Sequence, residues 1–137
     1  MNDSKKNKAF IIEYYNAISG VEKTPELCRR YMDDEKLIRH IQFFDQAFPK
    51  YELFIEEMVA EGNKVIVQGR ATGVHKGIYK GIPPTGGKMD LPFVIRYLVE
   101  HHKITDMWLI ADQTILMEQL GIMAPQATAD WSAPNPI

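Results

Sequence analysis

The sequence predicts an α+β fold in which antiparallel strands pack on helices from the first third of the chain. Up to Phe48, apolar residues recur at three- and four-residue spacing, as they do on one face of a helix. Beyond Tyr51 the pattern changes to runs rich in β-branched and aromatic residues, separated by short turns. Helices followed by a run of strands are typical of α+β domains.

Three helices are expected ahead of the strands. The first covers residues 7–18 and ends at Gly20, since glycine readily takes the left-handed conformation that closes a helix. The second covers about 24–32, with a threonine N-cap followed by a proline in the first turn. The third begins at an aspartate cap in the pair Asp33-Asp34 and carries an apolar stripe until Pro49 ends it.

The strands are expected to form two hairpins. Glu-Gly-Asn-Lys at 61–64 separates the first pair, and His-His-Lys at 101–103 separates the second. In the second strand, alternate side chains from Val65 to His75 are mostly small and apolar, as a concave wall over a cavity would be. Both faces of the last two strands carry large apolar residues, so we expect the outer face of the sheet to be buried in a homodimer.

The chain is predicted to be one domain, residues 1–137, with its core at about 8–122. A short helix is expected after Asp112 and is stopped by Gly121. Residues 123–137 are rich in proline, alanine and polar residues and are expected to be a C-terminal tail.

The composition is that of an ordinary globular protein, with 45% hydrophobic and 25% charged residues. A net charge of −2 gives no electrostatic reason to expect nucleic acid or an anionic membrane as a partner. No apolar run approaches the roughly 20 residues that span a bilayer. The single cysteine, Cys28, allows no internal disulfide and fits a reducing compartment, so we expect a cytoplasmic protein.

The segment 73–89, GVHKGIYKGIPPTGGKM, combines two patterns. Its glycines and the pair Pro83-Pro84 indicate a loop. Apolar and aromatic residues are nevertheless spaced through it, which favours a partly rigid rim over the mouth of a pocket, to which Ile82 contributes.

Two stretches resemble the SnoaL-like polyketide cyclase (ester cyclase) family of the nuclear transport factor 2-like superfamily. The first is AFPKYELFIEEMVAEGNKVIVQGRATGVHKGIYKGIPPTGGKM, with its Gly-x-His-x-Gly and Gly-Ile-Pro-Pro-Thr-Gly motifs. The second is KITDMWLIADQTILMEQLG, in which a Trp is followed four residues later by Asp. The resemblance covers about residues 8–122. It implies a cone-shaped, curved antiparallel sheet packed on N-terminal helices, a cystatin-like α+β barrel around a deep pocket.

The resemblance also implies an activity. Members of the family close a ring by intramolecular aldol condensation on a polyketide ester, without a metal or an organic cofactor. Such chemistry needs a base that removes a proton from carbon and donors for the developing enolate oxygen. No pair of histidines in this chain has metal-ligand spacing, so we expect no metal.

Asp112 and His75 are the candidate catalytic residues. Asp112 falls on the family's Trp-x-x-x-Asp position, on the same strand face as Trp108, where it is expected to act as general acid or base. It also sits where it could simply cap the following helix. His75 matches the Gly-x-His-x-Gly motif and is expected either to polarise a carbonyl group or to be a rim histidine bound to the backbone.

The expected pocket lining is mostly aromatic. His40 lies at the edge of the apolar stripe of the third helix, where it either points inward or is an ordinary helix histidine. The residues predicted to line the pocket are Trp108, Tyr97, Phe93, His40, Tyr14 and Ile82.

Two functions stay open from the sequence. One is a cofactor-free cyclase or isomerase that uses acid–base catalysis on a small apolar or polyketide-like ligand; hydrolysis by an Asp-activated water is a variant of it. The other is a non-catalytic ligand-binding or interaction protein on the same fold. Met107 stands where many relatives have a histidine before the strand Trp, and this departure favours the second.

Overall fold

The computed structural model describes residues 2–123, so all but the first residue of the expected tail lies outside the described residues. Helices precede a four-stranded sheet, and a short helix follows it. The elements are α1 (Asn2–Ile18), α2 (Pro25–Arg29), α3 (Glu35–Ala47), β1 (Glu52–Glu61), β2 (Lys64–Val74), β3 (Lys88–Glu100), β4 (Lys103–Ala111) and α4 (Gln113–Gln119).

The sheet is an antiparallel meander in the order β1-β2-β3-β4. The strands curve over α1 without closing into a full barrel, and register shifts at Ile55/Glu57 and Leu98/Val99 contribute local bends. The predicted α+β fold with helices on one face of a curved antiparallel sheet is therefore confirmed.

The helices differ from the prediction mainly at their ends. Helix α1 starts five residues earlier than expected, because the polar run ahead of residue 7 lies outside the core and leaves no apolar periodicity to mark it. Helix α2 is shorter, since Met32 leaves the helix to form a bridge with Ile104 of β4. The Thr24 and Asp34 caps are as predicted: their side chains accept the backbone N–H of Leu27 and Lys36.

Strand pairing decides which side chains face the helices. In β3 the odd-numbered residues from Met89 to Val99 are all buried, and in β2 Val65 and Val67 are fully buried on the same face. In β4 the pairing places Met107 opposite Tyr97 on this inner face and Trp108 opposite Arg96 on the outer face. The core lies between the inner face and the apolar sides of α1 and α3.

Within residues 2–123, no helix is both long enough and apolar enough to cross a membrane.

Candidate functional site

A cavity of about 340 Å³ lies between α1, α3 and the inner face of the sheet. Seventeen described residues line it, and eleven of them are aliphatic residues or phenylalanine. The exposed lining residue Gln113 marks the side that is open to solvent. Six of the lining residues have polar side chains: Tyr14, Tyr15, His40, Tyr51, Tyr97 and Gln113.

The tyrosines form the polar part of the wall. The hydroxyl groups of Tyr15 and Tyr97 are hydrogen-bonded to each other at 2.8 Å, and the ring of Tyr14 packs edge-on against both. Burial raises the pKa of all four cavity tyrosines, including Tyr51. The four phenols are therefore neutral at physiological pH and can donate hydrogen bonds to a ligand.

His40 brings the one imidazole of the cavity. It lines the cavity together with Leu37, Ile41 and Phe44 of α3, and the centre of its ring lies 5.2 Å from that of Phe44. Burial, and secondarily the nearby charge of Lys80, lower the pKa of His40 below its usual value of 6.5. The ring is consequently neutral at pH 7 and carries a free lone pair.

Asp112 does not line the cavity, which corrects its expected position. Its carboxylate is exposed and caps α4, where Oδ1 accepts the backbone N–H groups of Thr114 at 2.9 Å and Ile115 at 3.2 Å. The prediction placed Asp112 on the same strand face as Trp108. That face is the outer face of the sheet, because Trp108 pairs with Arg96 there. A catalytic role for Asp112 stays a prediction.

His75 is fully buried and also lies away from the cavity wall. Strand β2 ends at Val74, so the strand alternation no longer governs His75. Its Nδ1 accepts the backbone N–H of Thr85 at 3.1 Å and lies 2.9 Å from the Thr85 hydroxyl, while Nε2 has no partner among residues 2–123. These contacts fix the path of the 73–89 loop, and a catalytic role for His75 stays a prediction.

Four of the six residues that were predicted to line the pocket do so, and two do not. Tyr14, His40, Phe93 and Tyr97 lie along the cavity. Trp108 does not, because it is 55% exposed on the outer face of the sheet. Ile82 does not either: it is half-buried and pairs with Tyr79 in a small bridge inside the loop.

Two contributions were not anticipated. Tyr51 lines the cavity, and because it lies between α3 and β1, no periodic pattern marks it in the sequence. The second contribution comes from the loop, where the hydroxyl of buried Tyr79 donates to Gln113 Oε1 at 2.7 Å. This bond ties the loop to the open side of the cavity, and no local sequence pattern reports it.

The comparison with models of protein families identifies one family. The family model of the SnoaL-like polyketide cyclases matches residues 17–120. No curated protein matches the chain.

Three solved structures illustrate the shared fold. A proposed SnoaL-like polyketide cyclase from Jannaschia sp. CCS1 is 22% identical, with a TM-score of 0.77 over 92% of this chain and 97% of the other. IdmH, a proposed polyketide cyclase from Streptomyces antibioticus, is also 22% identical, with a TM-score of 0.70 over 84% and 98%. AclR, a proposed hydroxylase from Streptomyces galilaeus, is 18% identical, with a TM-score of 0.77 over 90% and 86%.

Proposed function

The chain belongs to the SnoaL-like polyketide cyclase family, and on that premise we propose that its cavity binds a small, mostly apolar, polyketide-like molecule. We further propose that the protein acts on this molecule as a cyclase or isomerase, by acid–base catalysis without a cofactor. The observation that supports the proposal is the cavity of about 340 Å³ with its apolar and aromatic wall.

Size and polarity both suit such a ligand. Pockets for small molecules occupy roughly 300–1,000 Å³ and combine an apolar wall with a few placed polar groups. Here the polar groups are neutral phenols, one imidazole and one amide. A charged ligand buried against this wall would lack a partner charge, which is costly, so the fitting ligand is uncharged.

The chemistry of the wall supports catalysis as well as binding. Proton removal next to a carbonyl group needs a base and a hydrogen-bond donor for the oxygen on which negative charge develops. The neutral tyrosines are such donors, and most of the surrounding wall is apolar, which strengthens their hydrogen bonds relative to water.

Filling the cavity tests the proposal. Ala71 is a buried lining residue of β2, and replacing it with phenylalanine places a ring in the cavity. We expect the Ala71→Phe variant to lose binding of the two-ring ketone 2-tetralone, measured by NMR titration of the protein, while its circular dichroism stays that of the wild type. The matched control is Ala9→Phe on the exposed side of α1, which should bind normally. Equal binding by the Ala71→Phe variant would place the ligand elsewhere.

We also propose a homodimer that is formed through the outer face of the sheet. Trp108 and Ile110 are more than half exposed there, and Val94 and Ile66 of the neighbouring strands are also exposed. Two arginines of this face are paired within the chain: Arg96 binds Asp106, and Arg70 binds Asp90. Burial of these apolar side chains against a second copy across a two-fold axis would remove them from water, which favours association.

The Trp108→Glu substitution replaces a large apolar side chain of this proposed interface with a carboxylate. We expect the wild type to sediment as a dimer in analytical ultracentrifugation and the variant to sediment as a monomer. Ile78→Glu is the matched control, because Ile78 is also more than half exposed but lies in the 73–89 loop. A wild type that sediments as a monomer, or a variant that stays dimeric, would contradict the proposal.

A further inference from the structure

The cavity wall contains no carboxylate, lysine, arginine or cysteine among the residues that the structure describes. Its titratable groups are four tyrosines and His40. The tyrosines hold their protons at neutral pH, so they can donate hydrogen bonds but cannot remove a proton from carbon. The imidazole of His40 is the one group of the described wall that can serve as a base.

The environment of His40 leaves its ring available. The ring packs against Phe44, and neither ring nitrogen has a hydrogen-bond partner among residues 2–123. Lys80 is the charged side chain that acts on it, and this positive charge favours the neutral ring. A neutral, unengaged imidazole at the wall of an apolar cavity has the properties of a general base.

The hydrogen-bonded pair Tyr15–Tyr97 supplies the matching donor. Two hydroxyl groups have two protons, and the bond between their oxygens uses one. The second O–H is free to donate, and it is polarised because its own oxygen participates in the first bond. The hydroxyl groups of Tyr14 and Tyr51 have no partner within the described chain and are therefore less firmly oriented.

We propose that His40 is the catalytic base of this cavity and that the Tyr15–Tyr97 pair binds the carbonyl oxygen of an uncharged ketone or ester. This inference rests on the proposed function and assigns the chemistry to residues other than Asp112 and His75. A ring nitrogen of His40 takes a proton from the carbon next to the carbonyl group. The electron pair of the broken C–H bond forms the C=C bond of the enolate, and the former C=O π pair moves to the oxygen, which accepts the hydrogen bond from the tyrosine pair. Return of the proton from the imidazolium to carbon restores neutral His40.

Deuterium exchange at carbon isolates this step. The probe is 2-tetralone in D₂O buffer, and NMR follows the incorporation of deuterium next to its carbonyl group, with a protein-free blank. We expect the wild type to accelerate exchange and His40→Gln to reduce the acceleration by about 100-fold or more, within the range for general acid–base catalysis. Binding of 2-tetralone, measured separately by NMR titration, should change little, because glutamine keeps the polar edge of the cavity.

Three further variants test the tyrosine pair, the specificity of the histidine and the alternative base. Tyr97→Phe removes one hydroxyl of the pair and should slow exchange by at least tenfold at retained binding, since removal of one oxyanion donor costs about 10²–10³ in rate. His101→Gln is the matched histidine control on the exposed β3–β4 turn and should exchange like the wild type. Asp112→Asn tests the competing assignment and should also leave exchange intact.

The possible outcomes distinguish a failure of the proposed function from a failure of the assignment of His40 as the base. Failure of the wild type to bind 2-tetralone would contradict the proposed function, and the inference would fail with it. Binding without accelerated exchange would overturn the inference alone. It would equally be overturned if His40→Gln exchanged like the wild type, or if Asp112→Asn abolished exchange.

Discussion

Replacing Gly77 with alanine is expected to destabilise the protein by about 3 kcal/mol, at the upper end of the cost of overpacking. A Cβ at this position would lie 2.0 Å from the carbonyl oxygen of Gln46 and 3.3 Å from Cα of Ala47. Both atoms belong to the backbone at the end of α3, so they cannot rotate away. The loop cannot simply withdraw either, because the N–H groups of Lys76 and Gly77 both donate to the Ala47 carbonyl.

Urea denaturation of the Gly77→Ala and Gly62→Ala variants measures the loss of stability in each. Comparing the two losses distinguishes the cost of a steric collision from the cost of an unfavourable backbone conformation. Gly62 has φ of 61°, and a Cβ at that position would have no neighbouring atom within 4 Å, so alanine there incurs only the cost of the left-handed conformation, about 1 kcal/mol. Gly77 has no positive φ, and its loss comes from the collision. A loss at Gly77 no larger than that at Gly62 would contradict the expectation, because it would show that the loop moves away from α3 at little cost. A larger loss at Gly77 would show that the 73–89 loop is fixed against α3.

The fold could be predicted because its signals are local. Helical spacing, the caps at Thr24 and Asp34, and the glycine turn at 61–64 each depend on neighbours in sequence. The inner face of β2 could also be predicted, since only one of its two faces is small and apolar.

The face of β4 could not be predicted, because both of its faces are apolar. Met107 and Leu109 alternate with Trp108 and Ile110, and a period of two does not say which pair is inside. That choice is made by the pairing of Trp108 with Arg96, which is a contact between strands. The error in the position of Asp112 follows directly, since its placement was tied to that of Trp108.

The burial of Lys23 could not be predicted from the sequence either, although it strongly affects the pKa of this side chain. The side chain of Lys23 is 0% exposed. Its ammonium group donates to the carbonyl oxygens of Tyr51 at 2.6 Å and Val21 at 3.0 Å, lies 3.8 Å from Asp45 Oδ1, and stands 3.9 Å above the centre of the Tyr51 ring. Burial outweighs the opposing effect of the Asp45 carboxylate and lowers the pKa of Lys23 from 10.5 to about 8.

The protein should therefore become more stable as the pH rises from 8 towards 10. Between a folded pKa of about 8 and an unfolded pKa of 10.5, the unfolded chain binds more protons at Lys23 than the folded chain, so the free energy of unfolding increases with pH. Across the whole window this amounts to about 3 kcal/mol, since one pKa unit corresponds to about 1.4 kcal/mol. Near pH 10 the buried tyrosines begin to oppose the gain, because their raised pKa values make the folded chain retain protons that the unfolded chain loses.

Lys23→Met isolates this contribution, since methionine fills a similar volume and does not titrate. Urea denaturation at a series of pH values from 7 to 10 should show stability rising in the wild type and a much flatter profile in the variant. Lys64→Met, at an exposed lysine that begins β2, should follow the wild type. Because all three proteins contain the same tyrosines, the difference between the profiles cancels the opposing effect. If Lys23→Met followed the wild type as well, the buried ammonium group would not be the origin of the rise, and its contacts with Tyr51 and Asp45 would have to offset the full cost of burial.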